Sequence, residues 1–213
     1  MKVDMIVLRH PNPGSPLLLS KNTNSCIINA GDGTHEHPTQ AILDMMSLKE
    51  VFGTLNKLKI GIIGDIAHSR VALSNIYGLK TMGAEVTLCG PPNLIPKNIE
   101  DMGVTVNYNI DEVIEWADAL NVLRIQRERM KGGLLPSIRE YRNLFGITEE
   151  RILSHKKEIV VMHPGPMNRG VEIDSAVADS DQAIILEQVL NGVASRMSIL
   201  YLLLGGKMEE DSN

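Results

Sequence analysis

The chain has 213 residues, with 21 basic and 26 acidic side chains and a net charge of −5 at pH 7. Hydrophobic residues make up 43% and charged residues 22%, which excludes disorder as the dominant state, and the acidic balance argues against a nucleic-acid binder. Aromatics contribute only 3%, too few for base-stacking platforms, so aliphatic residues and 11 Met must fill the core.

Two cysteines, Cys26 and Cys89, form no CxxC pair and read as reduced thiols in a cytoplasmic protein. The start, Met1-Lys2-Val3-Asp4, carries no apolar leader. The most apolar stretch, Leu186 to Leu204, is interrupted by Glu187, Asn191, Arg196 and Ser198, so no membrane span is expected.

Val3 to Leu8 predicts a buried strand that stops at Arg9-His10-Pro11. Asn12 to Gly14 reads as loop. Cys26 to Ala30 predicts a second strand, ended by Gly31-Asp32-Gly33. A helix is expected from Pro38, whose missing N–H costs nothing in a first turn, to Phe52, with Gly53 as its stop. Lys59 to Gly64 predicts a strand, Ser69 to Met82 a helix, and Glu85 to Leu88 a strand. A short helix over Lys97 to Met102 and a short strand over Val104 to Tyr108 follow. Asp111 is expected to cap a helix running to Ala117. Ala119 to Leu123 and Glu158 to Met162 predict two further strands around a polar, partly irregular stretch. A last helix is expected from Gln182 to Leu204. Its stripe of Leu186, Val189, Leu190, Val193, Met197, Leu200, Tyr201 and Leu204 has helical spacing. The tail from Gly205 to Asn213 is polar.

Alternating strands and helices at this spacing imply parallel sheets built from βαβ units. The fold class is therefore α/β. The best-formed sheet is expected over Lys57 to Asp181, and the first 50 residues read as part of a second α/β unit.

Ligands of open α/β sheets bind beyond the carboxyl ends of strands. Those ends carry Arg9-His10, Gly31 to Gln40, Asp65 to Arg70, Arg124 to Arg129, and His163 to Arg169. Each contains Arg, His or both. A net-acidic chain thus concentrates positive charge where the cleft forms, which predicts an anionic ligand with several charges. Arginine suits it because its planar fork donates two parallel hydrogen bonds to carboxylate or phosphate.

Bland readings compete. Arg9 alone is an ordinary surface arginine, and Arg127, Glu128 and Arg129 fit a solvated face. His163-Pro164-Gly165-Pro166 fits a rigid turn as well as a loop offering carbonyls to the cleft. His35 and His37 form an HxH pair, but no third ligand cluster has suitable spacing, so no metal is expected. A nicotinamide site is disfavoured because Gly61 to Asp65 reads GxxGD rather than GxGxxG, with no acidic residue after the next strand. Neither a phosphate-binding P-loop nor a GxSxG elbow is present.

Four ordered segments, GDGTHEHPTQ (Gly31 to Gln40), GDIAHSRVALS (Gly64 to Ser74), LRIQRER (Leu123 to Arg129) and HPGPMNRGVEI (His163 to Ile173), resemble the catalytic chains of the aspartate carbamoyltransferase family. The ornithine branch would carry His-Pro-Cys-Gln and His-Cys-Leu-Pro, so Thr39 and His163 to Pro166 favour the aspartate branch. The resemblance implies two parallel-sheet βαβ domains: a partial carbamoyl-phosphate domain over 1–52 and an aspartate domain over 53–181. It also implies a helix over 182–204 packing back on the first domain, then a tail over 205–213. It implies transfer of the carbamoyl group of carbamoyl phosphate to L-aspartate, without cofactor or metal.

By the same resemblance, His37 and Arg9 are the catalytic residues. Arg9, His37, Gln40, Pro164 and Gly165 bind carbamoyl phosphate, and Arg70, Arg124 and Gln126 hold aspartate. A homotrimer, with or without regulatory chains, is the expected assembly.

The family's amino-terminal segment, roughly a third of the usual chain, carries a Ser-Thr-Arg-Thr phosphate cradle. That motif does not occur here. The expectation is therefore little or no transfer by this polypeptide alone, and weak stability or aggregation because the last helix lacks cover. A non-catalytic dicarboxylate-binding or regulatory relative, and an ornithine-type enzyme, are the alternatives.

Overall fold

Lys59–Ile63 (β3) forms the centre of a five-stranded parallel sheet because its residues are apolar on both faces. The computed structural model describes residues 2–125, 137–155 and 158–205. On one side β3 pairs with Glu85–Cys89 (β4), which pairs with Thr105–Val106 (β5). On the other it pairs with Ala119–Val122 (β6), which pairs with Val160–Met162 (β7). The order β5-β4-β3-β6-β7 reverses direction at β3, so a topological switch point lies between the carboxyl ends of β3 and β6.

Two cores follow from the period-two alternation of the strands. Ile60 and Ile62 face Leu48, Ile76 and Leu79, from helices Pro38–Phe52 (α2) and Arg70–Thr81 (α3). Ile63, Leu120 and Val161 face Val113 and Ile114 of Ile110–Trp116 (α4) and Tyr141 and Phe145 of Ile138–Phe145 (α5). Gly61 lets α4 approach: a Cβ there would meet Val113 Cγ1 and Leu120 Cδ2, each at 2.9 Å.

The first unit is smaller. Met5–His10 (β1) pairs in parallel with Cys26–Asp32 (β2), and Ser15–Ser20 (α1) connects them. The expected strands over Val3 to Leu8 and Cys26 to Ala30 thus end two residues later. Pairing continues to His10 opposite Asp32, with an irregularity after Leu8. α2 begins at Pro38 and ends at Phe52, as its punctuation predicts, and Gly53 adopts φ 74° there.

Other expectations are corrected. Asn109, not Asp111, caps α4, its side chain accepting from Asp111 N at 3.1 Å. The stretch before β7 contains α5 and Glu149–Ser154 (α6), whose caps Ser137 and Thr148 accept from Glu140 N and Arg151 N. Ser175–Ala178 (α7) is another short helix that propensity did not reveal. The turn expected as a helix over Lys97 to Met102 is 3₁₀ over Ile99–Met102.

The last helix, Ile185–Leu203 (α8), packs on α2 through a polar and small-residue face. Gln188 Nε2 donates to Asp44 Oδ1 at 2.7 Å, and Asn191 Nδ2 to Ser47 Oγ at 3.0 Å. Gly192 lies against Leu43. The apolar stripe is on the opposite side: Leu186 is 79% exposed, Leu190 71% and Met197 64%. Among the described residues no helix is long and apolar enough to cross a membrane. The residues 206–213, expected as a polar tail, lie outside those described.

An exposed apolar row of this kind promotes self-association. The isolated polypeptide is expected to sediment as concentration-dependent oligomers, and replacing Leu190 and Met197 by Lys is expected to disperse them. At concentrations where the parent too is dissociated, the thermal midpoint should stay unchanged, since neither side chain enters the core. A parent chain that sediments as a monomer at all concentrations would contradict this.

Candidate functional site

Arg70 and Arg124 stand at the switch point. α3 starts directly after the β3 loop, with Ser69 as its cap accepting from Ala72 N at 3.2 Å. Arg70 is therefore its first residue. The side chain of Arg70 crosses to the end of β2. A Cβ on Gly31, which has φ 113°, would meet Arg70 Nε at 2.8 Å and Cζ at 2.9 Å. Gly31 is thus needed both for its backbone angle and for the guanidinium lying on it. Arg124 is the second residue after β6, beside the β3 loop, because Leu123 N donates to Ile63 O at 2.8 Å.

His37 opens α2 from the other side of the cleft. Its backbone N–H donates to Ser74 Oγ at 2.8 Å, which fixes it to α3. Burial pushes its pKa down from 6.5 to about 4, and the charges of Arg70, Arg196 and Arg9 push the same way. The imidazole is therefore neutral at pH 7. Thr39 Oγ1 lies 3.4 Å from Nδ1, and the tautomer with its hydrogen on Nε2 leaves that N–H for a ligand.

The loop after β7 closes the cleft. His163 N donates to Gln188 Oε1 at 3.0 Å, and Gly165 N donates to His163 Nδ1 at 2.9 Å. His163 Nε2 faces the fully buried Glu172 at 3.4 Å. Glu172 also accepts from Asn168 N and, at 3.2 Å, from Asn168 Nδ2. Asn168 Nδ2 reaches Ile125 O at 3.1 Å, tying this loop to the segment after β6. Pro164 is half-buried and Gly165 exposed, at the rim.

A cavity of ≈ 270 Å³ is lined by Arg9, His37, Thr39 and Arg196 with apolar neighbours from β1, β2 and α8. A second, of ≈ 560 Å³, shares Arg196 and Leu200 with it and extends to Gln40, His163, Pro164 and Gly165. Five of the expected residues, Arg9, His37, Gln40, Pro164 and Gly165, thus line two adjoining cavities. Arg70 and Arg124 lie outside both linings, at the switch point. Gln126, Arg127, Glu128 and Arg129 lie outside the described residues.

Arg196 was not singled out from sequence, where it figured only as an interruption of an apolar stretch. Its place on α8 supplies a further cation to both cavities. Asp44, Asn75, Asn121 and Gln188, buried beneath Gln40, were also missed. The Gln40–Asp44 spacing of one helical turn was the one signal for them.

His35 and His37 do not act as a pair. His35 Nδ1 lies 3.0 Å from Asp32 Oδ2. Burial opposes ionisation of Asp32, but bonds from Asn29, Gly14 N, His35 and Glu36 N outweigh it and hold its pKa at about 2. Among the described residues no three His, Cys, Asp or Glu side chains are grouped to hold a metal ion. Cys89 is buried, which pushes its thiol up to about 12 and makes it inert as a nucleophile.

The depressed pKa of His37 has a sign. Between about 4 and 6.5 the unfolded chain binds a proton that the folded chain does not. The contribution of His37 to stability is thus complete above pH 6.5 and is lost as pH falls through about 4. NMR titration of the histidine Hε1 resonances is expected to show His37 with a midpoint near 4, moving towards 6.5 in Arg196→Leu. An unshifted midpoint in the parent chain would contradict the assignment.

Comparison with known proteins bears on the whole chain. The family description "Aspartate/ornithine carbamoyltransferase, Asp/Orn binding domain" matches residues 56–203, and the "carbamoyl-P binding domain" of the same family matches residues 1–50. The chain is 56% identical over 209 residues to the aspartate carbamoyltransferase catalytic subunit of Gemmatimonas aurantiaca, covering 98% of this chain and 66% of that protein. Among solved structures, the catalytic subunit of M. jannaschii aspartate transcarbamoylase superposes with a TM-score of 0.81 at 34% identity, covering 94% of this chain and 66% of that one. Aspartate transcarbamoylase from Trypanosoma cruzi, in complex with N-(phosphonacetyl)-L-aspartic acid, gives a TM-score of 0.81 at 30% identity, covering 92% and 65%. The chain spans about 66% of the length of the curated relatives it matches. With both of the family's domain descriptions matched in order, the chain belongs to the aspartate/ornithine carbamoyltransferase family.

Proposed function

We propose that the protein carrying these residues transfers the carbamoyl group of carbamoyl phosphate to the amino group of L-aspartate, giving N-carbamoyl-L-aspartate and phosphate, a step of pyrimidine biosynthesis. The observation that carries this reading is the convergence of Arg9, His37, Gln40 and Arg196 on adjoining cavities, with Arg70 and Arg124 at the neighbouring switch point. The relatives bearing the aspartate carbamoyltransferase name support the choice of substrates.

The chemistry asks little of side chains as acids or bases. The aspartate amine attacks the carbamoyl carbon, a C–N bond forms, and the C–O bond to phosphate breaks. The proton lost by the amine leaves with phosphate. Negative charge builds on the carbamoyl oxygen, and the neutral His37 is placed to donate to it from Nε2. A charged imidazolium is not required, which agrees with its lowered pKa.

Arg9 and Arg196 meet the phosphate end. Gln40 and the carbonyls of Pro164 and Gly165 receive the carbamoyl amine. Arg70, Arg124 and Gln126 hold the two carboxylates of aspartate. Fixing both substrates in line supplies much of the acceleration.

The same reading divides the chain into a carbamoyl-phosphate part over 1–52, an aspartate part over 53–181, a returning helix over 182–204 and a tail over 205–213. It includes a homotrimeric assembly, which regulatory chains can join, and a cytoplasmic setting in keeping with the free Cys26 and Cys89.

Calorimetric titration tests the substrate choice. With phosphonoacetamide present as a non-transferring carbamoyl phosphate analogue, L-aspartate is expected to bind and L-ornithine to give no heat. Ornithine binding in place of aspartate would move the reading to the other branch of the family, and binding of neither would reject it.

A further inference from the structure

Asp44 is wholly buried beside the cleft, and no role assigned above uses it. It lies on α2 one turn after Gln40. Both oxygens accept hydrogen bonds, and among the described residues every donor is a carboxamide. Gln40 Nε2 at 3.0 Å and Gln188 Nε2 at 2.7 Å reach Oδ1. Asn75 Nδ2 reaches Oδ2 at 2.8 Å, with Asn121 Nδ2 more distant at 3.4 Å. Burial raises the pKa of Asp44, and the four donors act against that rise.

A carboxamide offers a donor at one end and an acceptor at the other, whereas a carboxylate only accepts. Two of the four carboxamides are also oriented by the backbone. Asn75 Nδ2 donates to Val71 O at 3.1 Å, and Gln188 Oε1 accepts from His163 N at 3.0 Å. Gln40 has no such second anchor among the described residues, so Asp44 sets which way it faces. With Nε2 held by Asp44, the acceptor Oε1 is the end left for the cavity that Gln40 lines.

We propose that Asp44 is a positioning residue that presents the carbonyl oxygen of Gln40 to the cleft, so that the site selects a ligand with an NH₂ group there over one with an isosteric CH₃. The proposal rests on the carbamoyl phosphate reading and adds to it a source of selectivity. It assigns Asp44 no contact with substrate. Through Gln188 the same carboxylate also steadies His163 and the start of the Pro164–Gly165 loop.

The test compares phosphonoacetamide with phosphonoacetone, which has CH₃ where the former has NH₂. The parent protein is expected to bind the amide roughly tenfold more tightly, the worth of one hydrogen bond to a fixed acceptor. In Asp44→Asn the new NH₂ can be met by Asn121, which like Gln40 has no second anchor among the described residues. The variant used is therefore Asp44→Leu, close in shape, which leaves Gln40 Nε2 no acceptor there and frees it to turn. The preference is then expected to fall to about twofold or less. Gln40→Leu is expected to lose it as well, and the double variant to lose no more. A residue that merely supported the fold would weaken both ligands equally, so a preserved ratio in Asp44→Leu overturns the proposal. If the parent binds neither ligand, the carbamoyl phosphate reading itself falls, and this inference with it.

A measurement on the parent protein covers the case of a variant that does not fold. The side-chain amide protons of Gln40, identified by their loss in Gln40→Leu, are expected to exchange slowly with solvent. They are also expected to stay slow when phosphonoacetamide binds. Fast exchange would overturn the proposal.

Discussion

A buried carboxylate with no counter-cation among the described residues is the constraint on which this structure turns. Taking Asp44 out of water is costly unless its lone pairs are satisfied. Four carboxamides from α2, α3, β6 and α8 meet that need. Each hydrogen bond to a charged group contributes about 1.5–3 kcal/mol, and losing one exposes the charge to an apolar interior. The same bonds join the five-stranded sheet, the helix leading from the first unit and the returning helix. The relative placement of Gln40 and the His163 loop is a consequence of that junction.

From the junction outward, charge is arranged against the protein's overall sign. Burial holds the pKa of His37 down, and the charges of Arg70, Arg196 and Arg9 add to its effect. A neutral imidazole among cations donates a hydrogen bond without competing for the anion's charge. The glycine at position 31 and the close approach of Gly90 to the carbonyl of Gly64 show how tightly the strand ends must come together to form this cleft.

What the sequence disclosed followed from punctuation and pattern. α2 was legible to the residue because Pro38 and Gly53 bound it, and the central strands because both faces are apolar. The strand ends named the cationic positions, since the fold places ligands there. The short helices α1, α5 and α6 were lost because a six- or eight-residue element carries too little periodicity. The apolar stripe of α8 was expected to lack cover, and it is exposed; the face that does pack was not legible. Hydrogen bonding from Gln188 and Asn191, with the small Gly192 and Ser195, decides which side meets α2. Beyond the Gln40–Asp44 pair the cluster was invisible, because Asn75, Asn121 and Gln188 lie 31 to 144 residues from Asp44 and meet it only through tertiary packing.

The central claim is that one cleft receives a phosphate-bearing carbamoyl donor and a dicarboxylate together. Calorimetric titration with N-(phosphonacetyl)-L-aspartate, which joins both features in one molecule, tests it most directly. The account predicts one site per chain, with binding abolished in Arg70→Leu and strongly weakened in His37→Ala. Absence of binding to the parent protein, or binding unaffected by either substitution, would contradict it.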